Sequence, residues 1–172
     1  MSIRGYFRYN IPMEKLRELT TRIIEKLAEE NKSVTFAESC TGGRIAAEFT
    51  AVSGASRVLN GSVVAYANEI KRRWLGVSEE TLEKEGAVSE ACVRQMLDGI
   101  LRMSGADYAI AVSGIAGPTG GTPLKPVGTV YIGIKGPAFV EIYHCLFQGD
   151  RESVQIQSVR FAVEKLAELI NF

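Results

Sequence analysis

The stretch TFAESCTGG, residues 35–43, sets three side chains with an attacking atom side by side: Ser39, Cys40 and Thr41. Two glycines follow at once, so the segment reads as a strand end turning into a helix. Such a turn can present a hydroxyl beside free helix N–H groups, which hold an oxyanion or a phosphate. On that reading Thr41, Gly42 and Gly43 contact the substrate. The competing reading is local, with Ser39 or Thr41 capping the helix and Cys40 filling the core. The segment lacks the G-x-S-x-G spacing of an elbow serine.

A serine nucleophile needs a base. His144 is the single histidine, and it shares one strand face with Ile142 and Leu146, a setting for a structural residue. That argues against a Ser-His-Asp triad. Lys71 is the better base. It falls in the first turn of a helix that Asn68 is suited to cap. The positive helix end and partial burial there would lower its pKa. Tyr66, just ahead at a strand end, could relay a proton or donate a hydrogen bond. A surface lysine and a packing tyrosine fit the same spacing.

A third stretch, SGIAGPTGG at 113–121, matches neither a Walker A motif nor G-x-G-x-x-G. Around Ser113 and Gly114 it could form a backbone nest for an anion, though a plain glycine-rich turn competes. The run Lys125-Pro-Val-Gly128 supports this loop from the next segment. Arg151, after Asp150 at the start of the last helix, could fork onto a phosphate or make a surface ion pair. Glu38, Glu69 and Glu90 follow no metal-ligand spacing, and one histidine removes most zinc schemes. No metal and no cofactor are expected.

The elements that must bring these residues together follow from periodicity. Leu16, Leu19, Ile23 and Leu27 mark a helix after Pro12, up to about Asn31. Strands are expected over Ser33–Ala37, Asn60–Tyr66 and Asp107–Val112. The last is almost continuously apolar, as a strand covered on both faces should be. Helices fall between them: one through Phe49, a short one after Asn68, another from Glu79 to Glu85, and a longer one from Ser89 to Met103. A hairpin over Gly128–Lys135 and Phe139–Phe147 turns at Gly136-Pro137, and an amphipathic helix spans 151–170. This order predicts an α/β protein, a three-layer α/β/α sandwich on a mixed, mostly parallel sheet. In such sheets ligands bind beyond the carboxyl ends of the strands, where all three polar loops would meet.

The 172 residues fit a single domain, with residues 1–11 as an N-terminal arm. Lys+Arg and Asp+Glu both number 20, so no basic stripe invites nucleic acid. Cys40, Cys92 and Cys145 show no C-x-x-C pair, which suits a reducing compartment. The N-terminus MSIRGYFRYN lacks a signal-peptide core, and no apolar run approaches a membrane span. A soluble cytoplasmic protein is the expectation.

Six blocks, AESCTGG at 37–43, VVAYANEIK at 63–71, LGV at 75–77, GAVSE at 86–90, SGIAGPTGG at 113–121 and KPVGTV at 125–130, occur in this order. In that order and spacing they resemble the CinA C-terminal domain family over about residues 12–170. The resemblance implies an amidohydrolase converting nicotinamide mononucleotide to nicotinic acid mononucleotide and ammonia. It implies Ser39 as nucleophile, Lys71 as base with Tyr66 assisting, and Ser113, Gly114 and Arg151 at the substrate. It also implies a pyridine-nucleotide substrate as the small-molecule partner, and a homodimer or higher homo-oligomer. Some members carry a second arginine four residues after the first, where this chain has Gln155, which removes one phosphate contact. Longer members place this domain behind a molybdopterin-binding-like domain, and fused members are not uniformly active. The alternative is therefore a catalytically silent nucleotide-binding or regulatory domain, or a protein-interaction module.

Overall fold

The computed structural model describes residues 11–171 and the backbone of Tyr6 and Phe7. The elements run β1 (Tyr6–Phe7), α1 (Met13–Glu29), β2 (Val34–Glu38), α2 (Arg44–Thr50), β3 (Leu59–Val64) and α3 (Asn68–Leu75). They continue α4 (Glu79–Lys84), α5 (Glu90–Ser104), β4 (Tyr108–Gly114), β5 (Thr129–Lys135), β6 (Val140–Phe147) and α6 (Arg151–Leu169). The sheet order is β1-β6-β5-β4-β2-β3. Pairs β1–β6, β2–β3 and β2–β4 are parallel, while β4–β5 and β5–β6 are antiparallel. Most of the expected arm lies outside the described residues; its Tyr6–Phe7 step adds the edge strand β1.

The two faces of the sheet differ in the size of their side chains, because alternate residues of a strand point to opposite sides. Phe36, Ile110, Val112, Val130, Ile132 and Phe147 meet α1, α2 and α6 in one core. Ala37, Ala109 and Ala111 face the other way, against Val93, Met96 and Leu97 of α5. Those small residues let α5 lie close to the sheet: a Cβ on Gly133 would sit 2.7 Å from both Leu97 and Val93 side chains. Helices α3 and α4 then pack beside α5, which completes three layers.

Helix starts follow local chemistry. Ser78, Ser89 and Asp150 each accept a backbone N–H from three residues on, the pattern of an N-cap. Pro12 occupies the N-cap of α1 instead of its first turn. Asn68 is not the cap expected of it. Ala67 takes that place in extended backbone, and both Ile70 N and Lys71 N donate to its carbonyl. Asn68 instead opens α3 as an exposed residue that lines the cavity at the strand ends.

Helix α3 is pressed onto α5 at Gly99, where an added Cβ would come 2.0 Å from the Leu75 carbonyl oxygen. The obstacle is backbone, so no side chain can rotate away. Gly99→Ala is expected to lower unfolding free energy by about 3 kcal/mol through overpacking, despite alanine's better helix propensity. Urea denaturation checks this; a variant as stable as the parent would show that α3 is not held at this distance.

Candidate active site

The carboxyl ends of β2, β3 and β4 lie side by side, since these three strands are adjacent and parallel. The loops that leave them carry the candidate residues. A cavity of about 260 Å³ opens there, with Ser39, Tyr66, Asn68, Lys71, Gly114 and Arg151 in its lining. Thr41, Gly42 and Gly43 are not among the residues that line it. A larger depression of about 520 Å³ lies on the open face of β5 and β6. It contains His144, whose ring stacks on Tyr131 at 4.5 Å. Its Ser89 caps α5 and donates to Gly86 O, so no nucleophile–base pair forms there.

At the floor of the smaller cavity Lys71 Nζ donates to Ser39 Oγ at 3.0 Å, across 32 positions of chain. Its second acceptor is the Tyr66 carbonyl at 3.1 Å. Lys71 is 2% exposed and Ser39 7%. No carboxylate forms a salt bridge with this amine among the described residues. Burial without a counter-charge disfavours the ammonium, and the Lys71 pKa is held below the ordinary lysine value, mainly by desolvation. A neutral amine within hydrogen-bond reach of a hydroxyl has the geometry of a general base.

Cys40, the rival nucleophile, fares differently. Cys40 borders the cavity too, but the residue is 4% exposed and belongs to the core, and burial pushes the thiol up to about 12. It stays protonated at neutral pH, so the more reactive atom of the turn is silenced.

Thr41 and the two glycines do not form the anion cradle read from TFAESCTGG. Glu38, fully buried, turns its carboxylate onto the start of α2. Thr41 Oγ1 donates to Glu38 Oε1 at 2.7 Å, Ile45 N to Oε1 at 3.0 Å and Ala46 N to Oε2 at 3.0 Å. The protein's own carboxylate therefore occupies the helix N-terminus that a phosphate could have used. Gly42 N closes the turn on Ser39 O. Gly42 and Gly43 take φ of +61° and +94°, values that glycine reaches without strain.

The available donor lies on the neighbouring strand. In the β4–β5 ladder Ile115 N donates to Thr129 O, so the Gly114 N–H faces the β2 side. There β2 has already turned away after Ser39 N reaches Val112 O. Gly114 itself borders the cavity on that side. Gly114 also has no room for a side chain, since a Cβ would sit 2.8 Å from Thr129 O.

The remaining candidates hold the walls. Ser113 Oγ donates to Ala87 O at 2.8 Å and fixes the segment between α4 and α5. Lys125 Nζ anchors the same segment at Glu85 O, 2.6 Å away. Arg151 Nη1 donates to Gly117 O and its Nη2 to the Tyr66 hydroxyl, both at 2.7 Å. The Tyr66 hydroxyl thus faces Arg151, while its carbonyl faces Lys71. Gln155 does not line the cavity; its Nε2 donates to Cys40 O at 2.9 Å. Two contributions escaped the sequence reading. Glu38 was visible there as an acid three residues before Thr41. The reach of Gln155 to Cys40, 115 positions away, had no local signal.

A three-layer α/β protein with a buried serine–lysine pair at the carboxyl edge of its sheet is the class that these features define. The chain belongs to the CinA C-terminal domain family, whose family model matches residues 16–170. It is 43% identical over 166 residues to a CinA-like protein of Thermotoga maritima, covering 96% of this chain and 40% of that protein. With a CinA-like protein of Thermotoga neapolitana it shares 44% identity over 162 residues, 94% of this chain and 39% of the relative. The chain thus spans about two fifths of the length of these curated relatives. Among solved structures, competence damage-inducible protein A (ComA) from Klebsiella pneumoniae superposes with TM-score 0.87 at 42% identity, covering 91% of this chain and 98% of that one. Competence/damage inducible protein CihA from Agrobacterium tumefaciens gives TM-score 0.89 at 37% identity, with 98% and 100% covered.

The Glu38 carboxylate makes a direct prediction. In Glu38→Gln an amide N–H₂ group must face a backbone N–H that now donates to oxygen. A loss of about 2–3 kcal/mol in unfolding free energy is expected, read as a lower denaturation midpoint. An unchanged midpoint would mean that the carboxylate does not hold the start of α2.

Proposed function

We propose that this domain is an amidohydrolase that deamidates nicotinamide mononucleotide, with Ser39 as nucleophile and Lys71 as base. The observation that carries the reading is the 3.0 Å bond between two buried side chains, Lys71 Nζ and Ser39 Oγ. Family membership makes the reading coherent, because the sequence blocks that contain Ser39 and Lys71 are those of the resemblance.

The chemistry follows from the positions of the groups. The positive pyridinium ring of the substrate draws electrons from its carboxamide and makes that carbon easier to attack. Lys71 takes the Ser39 proton as Oγ bonds to the carboxamide carbon. The carbonyl electrons move onto oxygen, where the Gly114 N–H is the donor placed to receive them. One such donor contributes roughly 3–4 kcal/mol to the transition state. Lys71, now charged, returns its proton to the amide nitrogen as the C–N bond breaks and ammonia leaves. Water then attacks the acyl-serine with Lys71 again as base, and the proton passes to Ser39 Oγ as the C–O bond breaks and the acid leaves. Tyr66 O keeps the amine pointed at Ser39 throughout. Arg151 spends two of its five N–H donors on Gly117 O and Tyr66 Oη, and the rest remain for the phosphate.

Activity should follow the amine. Because burial depresses the Lys71 pKa, the base is unprotonated in the folded protein at a lower pH than a free lysine. The rate kcat/KM is therefore expected to rise with pH through a midpoint below 10.5, then level off. The same depression makes folding more favourable as pH rises from the folded pKa towards the unfolded one, and less favourable below it. An ammonia assay over nicotinamide mononucleotide, its riboside, free nicotinamide and the dinucleotide tests the substrate. Ser39→Ala and Lys71→Met should each reduce turnover by about a thousandfold or more while still unfolding cooperatively. Full activity in Ser39→Ala would refute the nucleophile. Stabilisation by the mononucleotide without ammonia release would favour a binding module instead.

A further inference from the structure

Besides the Lys71 bond and those that Arg44 makes to Thr41 O, four hydrogen bonds hold the turn that carries Ser39. Ser39 N reaches Val112 O at 3.0 Å and Gly42 N reaches Ser39 O at 3.0 Å. Thr41 Oγ1 donates to Glu38 Oε1 at 2.7 Å, and Gln155 Nε2 donates to Cys40 O at 2.9 Å. The first ties the incoming strand to β4, and the next two close the turn on itself. Among the described residues, only the last is a hydrogen bond from another element to the Cys40–Thr41 peptide, made by a side chain of α6 that is 7% exposed.

This peptide needs an outside hold. It is followed by two glycines with positive φ, residues whose backbone has the widest freedom. A peptide unit is planar, so fixing its carbonyl also fixes the direction of the Thr41 N–H and the approach of the chain to Ser39. One helical turn before Gln155, Arg151 holds Gly117 O and the Tyr66 hydroxyl. The first two turns of α6 thus grip all three loops at the carboxyl edge, and Gln155 grips the one with the nucleophile.

We infer that Gln155 is a positioning residue for Ser39, acting through the Cys40 carbonyl; the inference rests on the hydrolase reading of the Ser39–Lys71 pair. Gln155 does not line the cavity and touches no substrate. In its place an apolar side chain leaves a buried carbonyl without a donor, and the pliable turn shifts to satisfy it. Misplacement of a reacting atom by about 1 Å costs on the order of a hundredfold in rate.

The test uses a fluorophosphonate, which reports on the serine independently of any nucleotide. A bond forms from Ser39 Oγ to phosphorus, fluoride leaves, and Lys71 takes the hydroxyl proton. In Gln155→Met, close in length but without a donor, the labelling rate constant should fall about 10- to 100-fold. The final extent of labelling and the pH midpoint should stay as in the parent. Gln155→Glu, which replaces the donor by an acceptor, should be slowed likewise and supplies the same test if Gln155→Met does not fold. Equal rate constants in parent and variants would overturn the inference and leave the nucleophile standing. A reduced extent of labelling at an unchanged rate constant would also overturn it, since that is the mark of partial unfolding alone. A parent protein that is not labelled at Ser39 overturns both the inference and the hydrolase reading. Slowed labelling in the variants of a parent that releases no ammonia from the mononucleotide supports the inference while removing that substrate.

Discussion

A lysine amine placed out of water with only neutral oxygens for company is the constraint on which the site depends. An ammonium in that position would lose most of its hydration and gain no carboxylate in return. Burial therefore lowers the Lys71 pKa and makes the uncharged form, the one able to accept a proton, easier to reach. Helix α3 must then be held tightly enough to keep Lys71 covered, and the close approach to α5 at Gly99 does this. The small residues of β4 and β5 in turn allow α5 to lie near the sheet. Packing far from the chemistry therefore bears on how readily one nitrogen gives up its proton.

The fold divides labour between two kinds of anion stabilisation. At the start of α2, where a substrate phosphate could have bound, the Glu38 carboxylate is already seated. It fixes the geometry of the turn but withdraws those N–H groups from ligand binding. What remains for a ligand's charge is the Gly114 amide on one side of Ser39 and Arg151 on the other. These flank the cavity from different elements. On the proposed function, the reacting carbonyl would meet Gly114 and the anionic group would meet Arg151, both of which line the cavity.

Much of this was legible in the chain. Strand and helix periods gave the three layers, and the polar residues clustered where strands were expected to end. Lys71 stood out because it followed Tyr66 into the first turn of a helix. The failures have physical causes. Asn68 was read as a cap because asparagine suits that role, yet the bonds to Ala67 O start the helix one residue sooner than that reading allowed. Thr41, Gly42 and Gly43 were offered as an anion cradle, beside a purely local capping role, because a helix N-terminus can bind an anion. The acid that fills it was considered only as a metal ligand. Gln155 was judged by the arginine that it replaces in relatives, whereas its partner is a carbonyl in a distant part of the chain. Side-chain type marks chemistry well, but it does not say which polar atom is already satisfied.

Because Arg151 and Gln155 both belong to α6, one helix clamps all three loops of the candidate site. The same helix lays Val154, Phe161, Ala162 and Val163 into the core on that face of the sheet. Loosening α6 would therefore free the serine turn and the glycine-rich loop together with that packing. Local order at the cavity and cohesion of the fold are in this way one property.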